Sequence, residues 1–173
     1  FVSKIYISSF VSNVEPEALS YNSLSEIIVS EDSTTLKSIQ GVLYNKEASI
    51  LMQYPKGKDD TYFSIPNSVT EIGRRAFGGC LYLEEVYISE NVISIDTFAF
   101  ALCKSLSSVT IGESVNFINV YAFWDSRALN NVIFENKQGW ETDDVVFTQD
   151  HLSSPVDAAN YLTYYVSSPW TRE

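Results

Sequence analysis

Apolar residues through the middle of the chain recur at a spacing that no single helix or strand produces. Segments 65–87, 88–110 and 111–133 align without gaps at a period of 23. Ile65, Ile88 and Ile111 share a column that continues to Phe134, and Val69, Val92 and Val115 share the next. Ile72, Ile95 and Ile118 follow, then Ala76, Ala99 and Ala122, each directly before Phe77, Phe100 or Phe123. Leu83, Leu106 and Leu129 precede Val86, Val109 and Val132, and a further column holds Cys80, Cys103 and Ser126. Within each copy, Leu-x-x-Val-x-Ile (Leu83, Val86, Ile88) alternates as a strand with one buried side. The stretch from Val69 to Phe77 predicts short turns or 3-10 pieces that also face inward. One such copy cannot bury its apolar side alone, whereas stacked copies about 4.8 Å apart can. The pattern therefore predicts a solenoid with a file of phenylalanine rings inside it and alanine beside each ring to make room.

The flanks modify this picture. Ile7, Val11, Val14, Ala18 and Leu19 fall on the same columns. One deletion brings Leu24, Ile27 and Val29 into register, with Leu19 in place of Phe and Asn22 in place of Cys. Residues 30–64 interrupt the count. Gly41-Val-Leu-Tyr44 and Ile50-Leu-Met-Gln-Tyr54 read as strands joined by the polar turn Asn45-Lys-Glu-Ala-Ser49. The expectation is a hairpin that projects from the solenoid and rejoins it near 61–64, with Phe63 one period before Val86. After Phe134 the repeat stops, and an open end needs a cap. Ser154-Pro155-Val156-Asp157 has the form of a capping box with proline at the first helical position. Ala158, Tyr161, Leu162 and Tyr165 would share the buried face of that helix, and Trp140 and Trp170 would seal the end or stand exposed as binding residues. The chain reads as one domain over 1–173: an imperfect repeat in 1–29, an insert in 30–64, three tandem repeats in 65–134 and a cap in 135–173.

The run Ile65-Pro66-Asn-Ser68-Val69-Thr70-Glu-Ile72-Gly73-Arg-Arg-Ala76-Phe77-Gly-Gly-Cys80 closely resembles the repeat of BspA-like bacterial leucine-rich-repeat proteins. The insert, with Gly41-Val-Leu-Tyr-Asn45 leading to Gln53-Tyr54-Pro55-Lys-Gly57, resembles one that recurs in the same family. So does the end, with Trp140, Asp157-Ala-Ala-Asn-Tyr-Leu162 and Trp170. The resemblance implies a β-rich α/β fold, a right-handed solenoid with a parallel sheet along one side. It also implies a secreted or surface-attached bacterial protein used in adhesion. The third repeat departs from the pattern at Trp124-Asp125-Ser126, and Pro66 has no counterpart at Ser89 or Gly112, which suggests decay of the repeat toward the cap.

Composition narrows the partners. A formal charge of −11 repels phosphate backbones and anionic lipid, so nucleic acid is a poor expectation, as is membrane insertion by this segment. No stretch approaches the ~20 apolar residues of a membrane span. The chain opens at Phe1 inside a strand-like pattern, which reads as part of a larger protein. Cys80 and Cys103 lie one period apart, either as stacked small hydrophobes or as a bridge between coils; parallel Cβ directions oppose the bridge. His151 is the single histidine and has no nucleophile motif to serve. The acid pairs Asp59-Asp60, Glu84-Glu85 and Asp143-Asp144 read as solvated charge; on a strand, neighbours point to opposite faces. No cofactor, metal site or catalytic set is expected.

The outward strand positions remain. One row is Tyr62, Glu85, Ser108 and Asn131; the other is Ser64, Tyr87, Thr110 and Ile133. In solenoids this surface is the usual recognition face, and tyrosines there suit an interface. The rows therefore point to a non-catalytic binding module for an extracellular protein or glycan. A structural spacer within a larger surface protein is the alternative.

Overall fold

The computed structural model describes residues 3–16, 18–19, 23–143, 145–164 and 167–172. Phe1, Asn22, Asp144 and Tyr165, which the sequence patterns used, lie outside the described residues. At the N-terminus, β1 (Lys4–Ile7) and β2 (Glu26–Val29) pair in parallel. β3 (Leu36–Ile39), β4 (Val42–Asn45) and β5 (Ile50–Gln53) then form an antiparallel meander. The repeats follow as β6 (Tyr62–Ser64), β7 (Glu71–Ile72), β8 (Glu85–Ile88), β9 (Ser94–Ile95), β10 (Ser108–Ile111), β11 (Phe117–Ile118) and β12 (Asn131–Phe134). The chain closes with β13 (Trp140–Glu141), helix α1 (Pro155–Tyr164) and β14 (Trp170–Arg172).

The period becomes strand register. Val86 lies opposite Val109 and Val109 opposite Val132 in the parallel sheet β6-β8-β10-β12. Ile72 lies opposite Ile95 and Ile95 opposite Ile118 in a second row built from β7, β9 and β11. The inward half-turn is therefore made of two-residue parallel strands joined by turns. The two rows enclose one core, in which every apolar column of the three repeats is buried. Each coil turns through two residues of positive φ: Arg75, Phe98 and Tyr121 (φ 57, 59 and 58), then Gly79, Leu102 and Asp125 (φ 73, 61 and 57). The left-handed region costs a non-glycine residue about 1–2 kcal/mol. Bonds to the next coil hold the turns in place: the Phe77 amide donates to the Ala99 carbonyl and the Phe100 amide to Ala122, both at 2.7 Å.

Phe77, Phe100 and Phe123 form the expected file, with ring centroids 4.7 and 5.0 Å apart and nearly parallel planes. Tyr54 adds a fourth ring 5.1 Å from Phe77, and its amide donates to the Ala76 carbonyl just as the phenylalanines' amides do one coil on. Its buried hydroxyl donates to Asp60 at 3.1 Å, so Asp60 is a partner to the core as well as surface charge. The chain thus regains solenoid register by Tyr54, earlier than the expected point of re-entry.

The insert does not project. β5 pairs in parallel with β7, Leu51 opposite Ile72, so the meander extends the second row of strands. Its alternation serves two cores at once. Val42, Tyr44 and Leu51 belong to the repeat core, while Leu36, Leu43 and half-buried Met52 pack with Ile7, Leu19, Leu24, Ile27 and Val29. The insert is therefore a wall between the repeats and a small N-terminal core. The predicted turn is present: the Asn45 side-chain oxygen accepts from the Ser49 and Ile50 amides at 2.9 Å. In the N-terminal copy, Val11 and Val14 are only half-buried and Ala18 is exposed, so their places in the repeat columns do not make them core. The meander supplies the cover that a following coil would give.

The cap closes both rows. Ser154 accepts from the Asp157 amide at 3.3 Å, giving α1 its N-cap, while the Asp157 side chain is exposed. Ala158 and Leu162 are buried and α1 packs on β12. β14 runs antiparallel to β11, with Ile118 opposite Trp170, and β13 pairs antiparallel with β14 to end the row. Trp140 and Trp170 are buried, so of the two expectations they seal the end, Trp170 stacked on Phe134 and Phe147 and Trp140 edge-on to Phe134.

Candidate functional site

The two outward rows assemble in the order the period implies. Tyr62 faces Glu85, then Ser108, then Asn131; Ser64 faces Tyr87, then Thr110, then Ile133. Because alternate residues of a strand point to opposite sides, burying Phe63, Val86, Val109 and Val132 presents these eight outward. Tyr62 is 52% exposed; Ser64, Glu85 and Ile133 are also exposed, and Tyr87, Ser108, Thr110 and Asn131 are half-buried. Neighbouring side chains support one another. The Asn131 amide donates to the Ser108 hydroxyl at 2.9 Å, and the Tyr87 hydroxyl donates to the Glu135 carboxylate at 3.3 Å. Burial first, and then the Glu135 carboxylate, hold the Tyr87 phenol above its ordinary pKa. The face offers hydroxyls, one amide, two phenols and carboxylates, a set suited to binding at an interface.

The other candidates resolve into structure. Cys80 and Cys103 are free and buried; burial and the neighbouring thiol push Cys80 well above the ordinary thiol range. The Cys103 thiol donates to the Phe77 carbonyl at 3.0 Å. Ser126 makes the same contact one coil on, donating to Phe100 at 2.6 Å, and also accepts from the Cys103 amide. Serine in this column preserves the donor, which corrects the reading of repeat decay at Ser126. His151 Nδ1 accepts from the Thr148 amide at 3.1 Å and its ring packs near Phe147 and Tyr161. Glu84 precedes β8, and both it and Glu85 are exposed, as solvated charges. Among the described residues, no group of three or more His, Cys, Asp or Glu side chains could hold a metal ion, and no helix is long and apolar enough to cross a membrane.

Two surface features escaped the sequence reading. Arg75 lies 4.8 Å over the Phe98 ring, which stacks on Tyr121 at 5.2 Å, forming an outer file parallel to the buried one. The period could have found it, since the three stand 23 apart. Trp124 meets Phe98 edge to face at 6.3 Å and lines a cleft against α1. No periodicity links those two walls.

Stacked short coils with an in-register parallel sheet along one side define a β-solenoid of the leucine-rich-repeat class. Residues 56–156 match the family described as BspA type leucine-rich repeat region, and the chain belongs to that family. Among solved structures it is similar to a leucine-rich repeat protein from Eubacterium ventriosum, at 28% identity and a TM-score of 0.70, covering 79% of this chain and 37% of that one. It is also similar to a leucine-rich cell surface protein from Faecalibacterium prausnitzii, at 26% identity and a TM-score of 0.55, covering 88% of this chain and 51% of that one. The pneumococcal vaccine antigen PcpA shares the fold at 17% identity and a TM-score of 0.64, covering 79% of this chain and 40% of that one. The chain thus spans between about a third and a half of these longer proteins. No curated protein matches it significantly.

Proposed function

We propose that this chain is a non-catalytic recognition module of a bacterial cell-surface protein, and that it binds an extracellular protein through the outward face of β6, β8, β10 and β12. The observation that carries the reading is the pair of rows held in register across four strands, with Tyr62 and Tyr87 as adjacent anchors. Tyrosine gives a large contact area with few rotors to immobilise, which suits the centre of an interface. Glu85 in the first row and Glu135 beside Tyr87, on a chain of net charge −11, favour a partner surface rich in lysine and arginine. Surface location is supported by the family and by the cell-surface description of the F. prausnitzii relative.

The test is surface plasmon resonance against a panel of purified extracellular-matrix proteins. The Tyr62→Ala/Tyr87→Ala double variant should bind at least about ten-fold more weakly with an unchanged melting temperature. Binding should also weaken as salt rises. Unchanged affinity in the double variant removes this face from the account. The alternative is a structural spacer within a larger surface protein, whose stacked coils would serve only to extend it. It gains if the panel is silent and the parent polypeptide is long.

A further inference from the structure

We infer that the cleft between the last repeat and helix α1 is a saccharide-binding site, separate from the sheet face. A hollow of about 440 Å³ lies there, and a second of about 650 Å³ over α1 adjoins it through Asn160 and Thr163, which line both. Each is of a size to take a sugar-sized ligand. Trp124, 44% exposed, lines the first, and Tyr164, 78% exposed, lines the second. Asp125, Arg127 and Asn160 lie in the walls with them.

The chemistry fits a pyranose better than a peptide or an apolar guest. A sugar ring has an apolar face of C–H groups that packs flat on an aromatic ring, and a rim of hydroxyls that donate and accept at once. Planar amides, carboxylates and guanidinium groups match such rims two atoms at a time. Arg127 donates to the Asp125 carboxylate, which sets an acceptor beside a fork of donors. Among the described residues the exposed Asn160 amide makes no side-chain hydrogen bond, so its donors and acceptor are available. The position of Trp124 is telling. Its column holds Gly78 and Ala101 in the two preceding coils, and the large ring appears only in the coil that faces α1. The core does not require it there.

The molecule supplies its own reporter. Of the three tryptophans, Trp140 and Trp170 are 1% exposed, so acrylamide quenching of fluorescence reads Trp124. The protein is titrated with neutral oligosaccharides (maltotetraose, cellotetraose and chitotetraose) to roughly 20 mM, enough to detect millimolar binding. At least one should protect Trp124 from acrylamide saturably. Asn160→Ala and Arg127→Ala should each weaken that protection about ten-fold at unchanged melting temperature, and Tyr62→Ala/Tyr87→Ala should leave it intact. Three results overturn the inference: no protection by any of the sugars, protection undiminished in both cleft variants, or protection that follows protein concentration, which would mean a second copy covers the cleft.

Discussion

Phe100→Ala is the sharpest test of the stacked core. Phe100 is 0% exposed and lies between two rings, 4.7 Å from Phe77 and 5.0 Å from Phe123. Truncating a fully buried phenylalanine costs about 3–5 kcal/mol in lost transfer energy and cavity. Two stacked pairs, each about 0.5–1.5 kcal/mol, disappear together, which places the expected loss near the upper end, ~5 kcal/mol. That is a large share of the roughly 5–15 kcal/mol typical of whole domains. The neighbouring Phe98→Ala is the control. Phe98 is half-buried and holds the outer stack with Arg75 and Tyr121, so its loss should be only ~1–2 kcal/mol. Urea unfolding followed by far-ultraviolet circular dichroism measures both. A loss under about 1.5 kcal/mol for Phe100→Ala, or one no larger than that of Phe98→Ala, would refute the reasoning.

Further tests follow from individual contacts. Ser126→Ala strands the Phe100 carbonyl and the Cys103 amide and should cost ~1–3 kcal/mol, whereas Ser126→Cys should recover most of it; equal losses in thermal melts would contradict the shared role of this column. A Cβ on Gly57 would lie 2.6 Å from the Ser23 carbonyl, so Gly57→Ala should destabilise by ~1–3 kcal/mol and expose the N-terminal unit to limited proteolysis first. Burial raises the Tyr44 phenol to about 12 and pushes that of Tyr54 up as well. The folded state keeps these protons where the unfolded chain loses them, so stability is fully present below pH ~10 and falls above it by about 1.4 kcal/mol per pH unit for each tyrosine. Urea midpoints across that range check the slope, and a flat profile would mean that the phenols ionise in place.

Side chains recurring every 23 residues were legible because each repeat lies against a copy of itself: the columns from Ile65 to Phe134 are the core, and the residues between them are the face. The insert was not, because its meaning depends on two cores. Leu43 and Tyr44 are both buried, on opposite sides of one strand, and a continuous apolar run does not say that a second core waits on the far side. Tyr54 was hidden as a rung by its own identity and by Gln53 in the alanine position, although it sits one period before Phe77. β14 gave little signal, since three residues pairing antiparallel with β11 are a tertiary event. The cleft at Trp124 joins segments more than thirty residues apart by packing alone. Alternation puts the eight face residues on the outward side of the strands, four of them half-buried, but what they bind is a matter of surface chemistry that periodicity does not encode.

The central claim is that residues one period apart are neighbours in a single stack. Ring-to-ring nuclear Overhauser effects in phenylalanine-labelled protein test it most directly. Cross-peaks should link Phe77 to Phe100 and Phe100 to Phe123, with no direct peak between Phe77 and Phe123. Rings that show contacts to unrelated neighbours, and none to each other, would contradict the solenoid and the recognition face built on it.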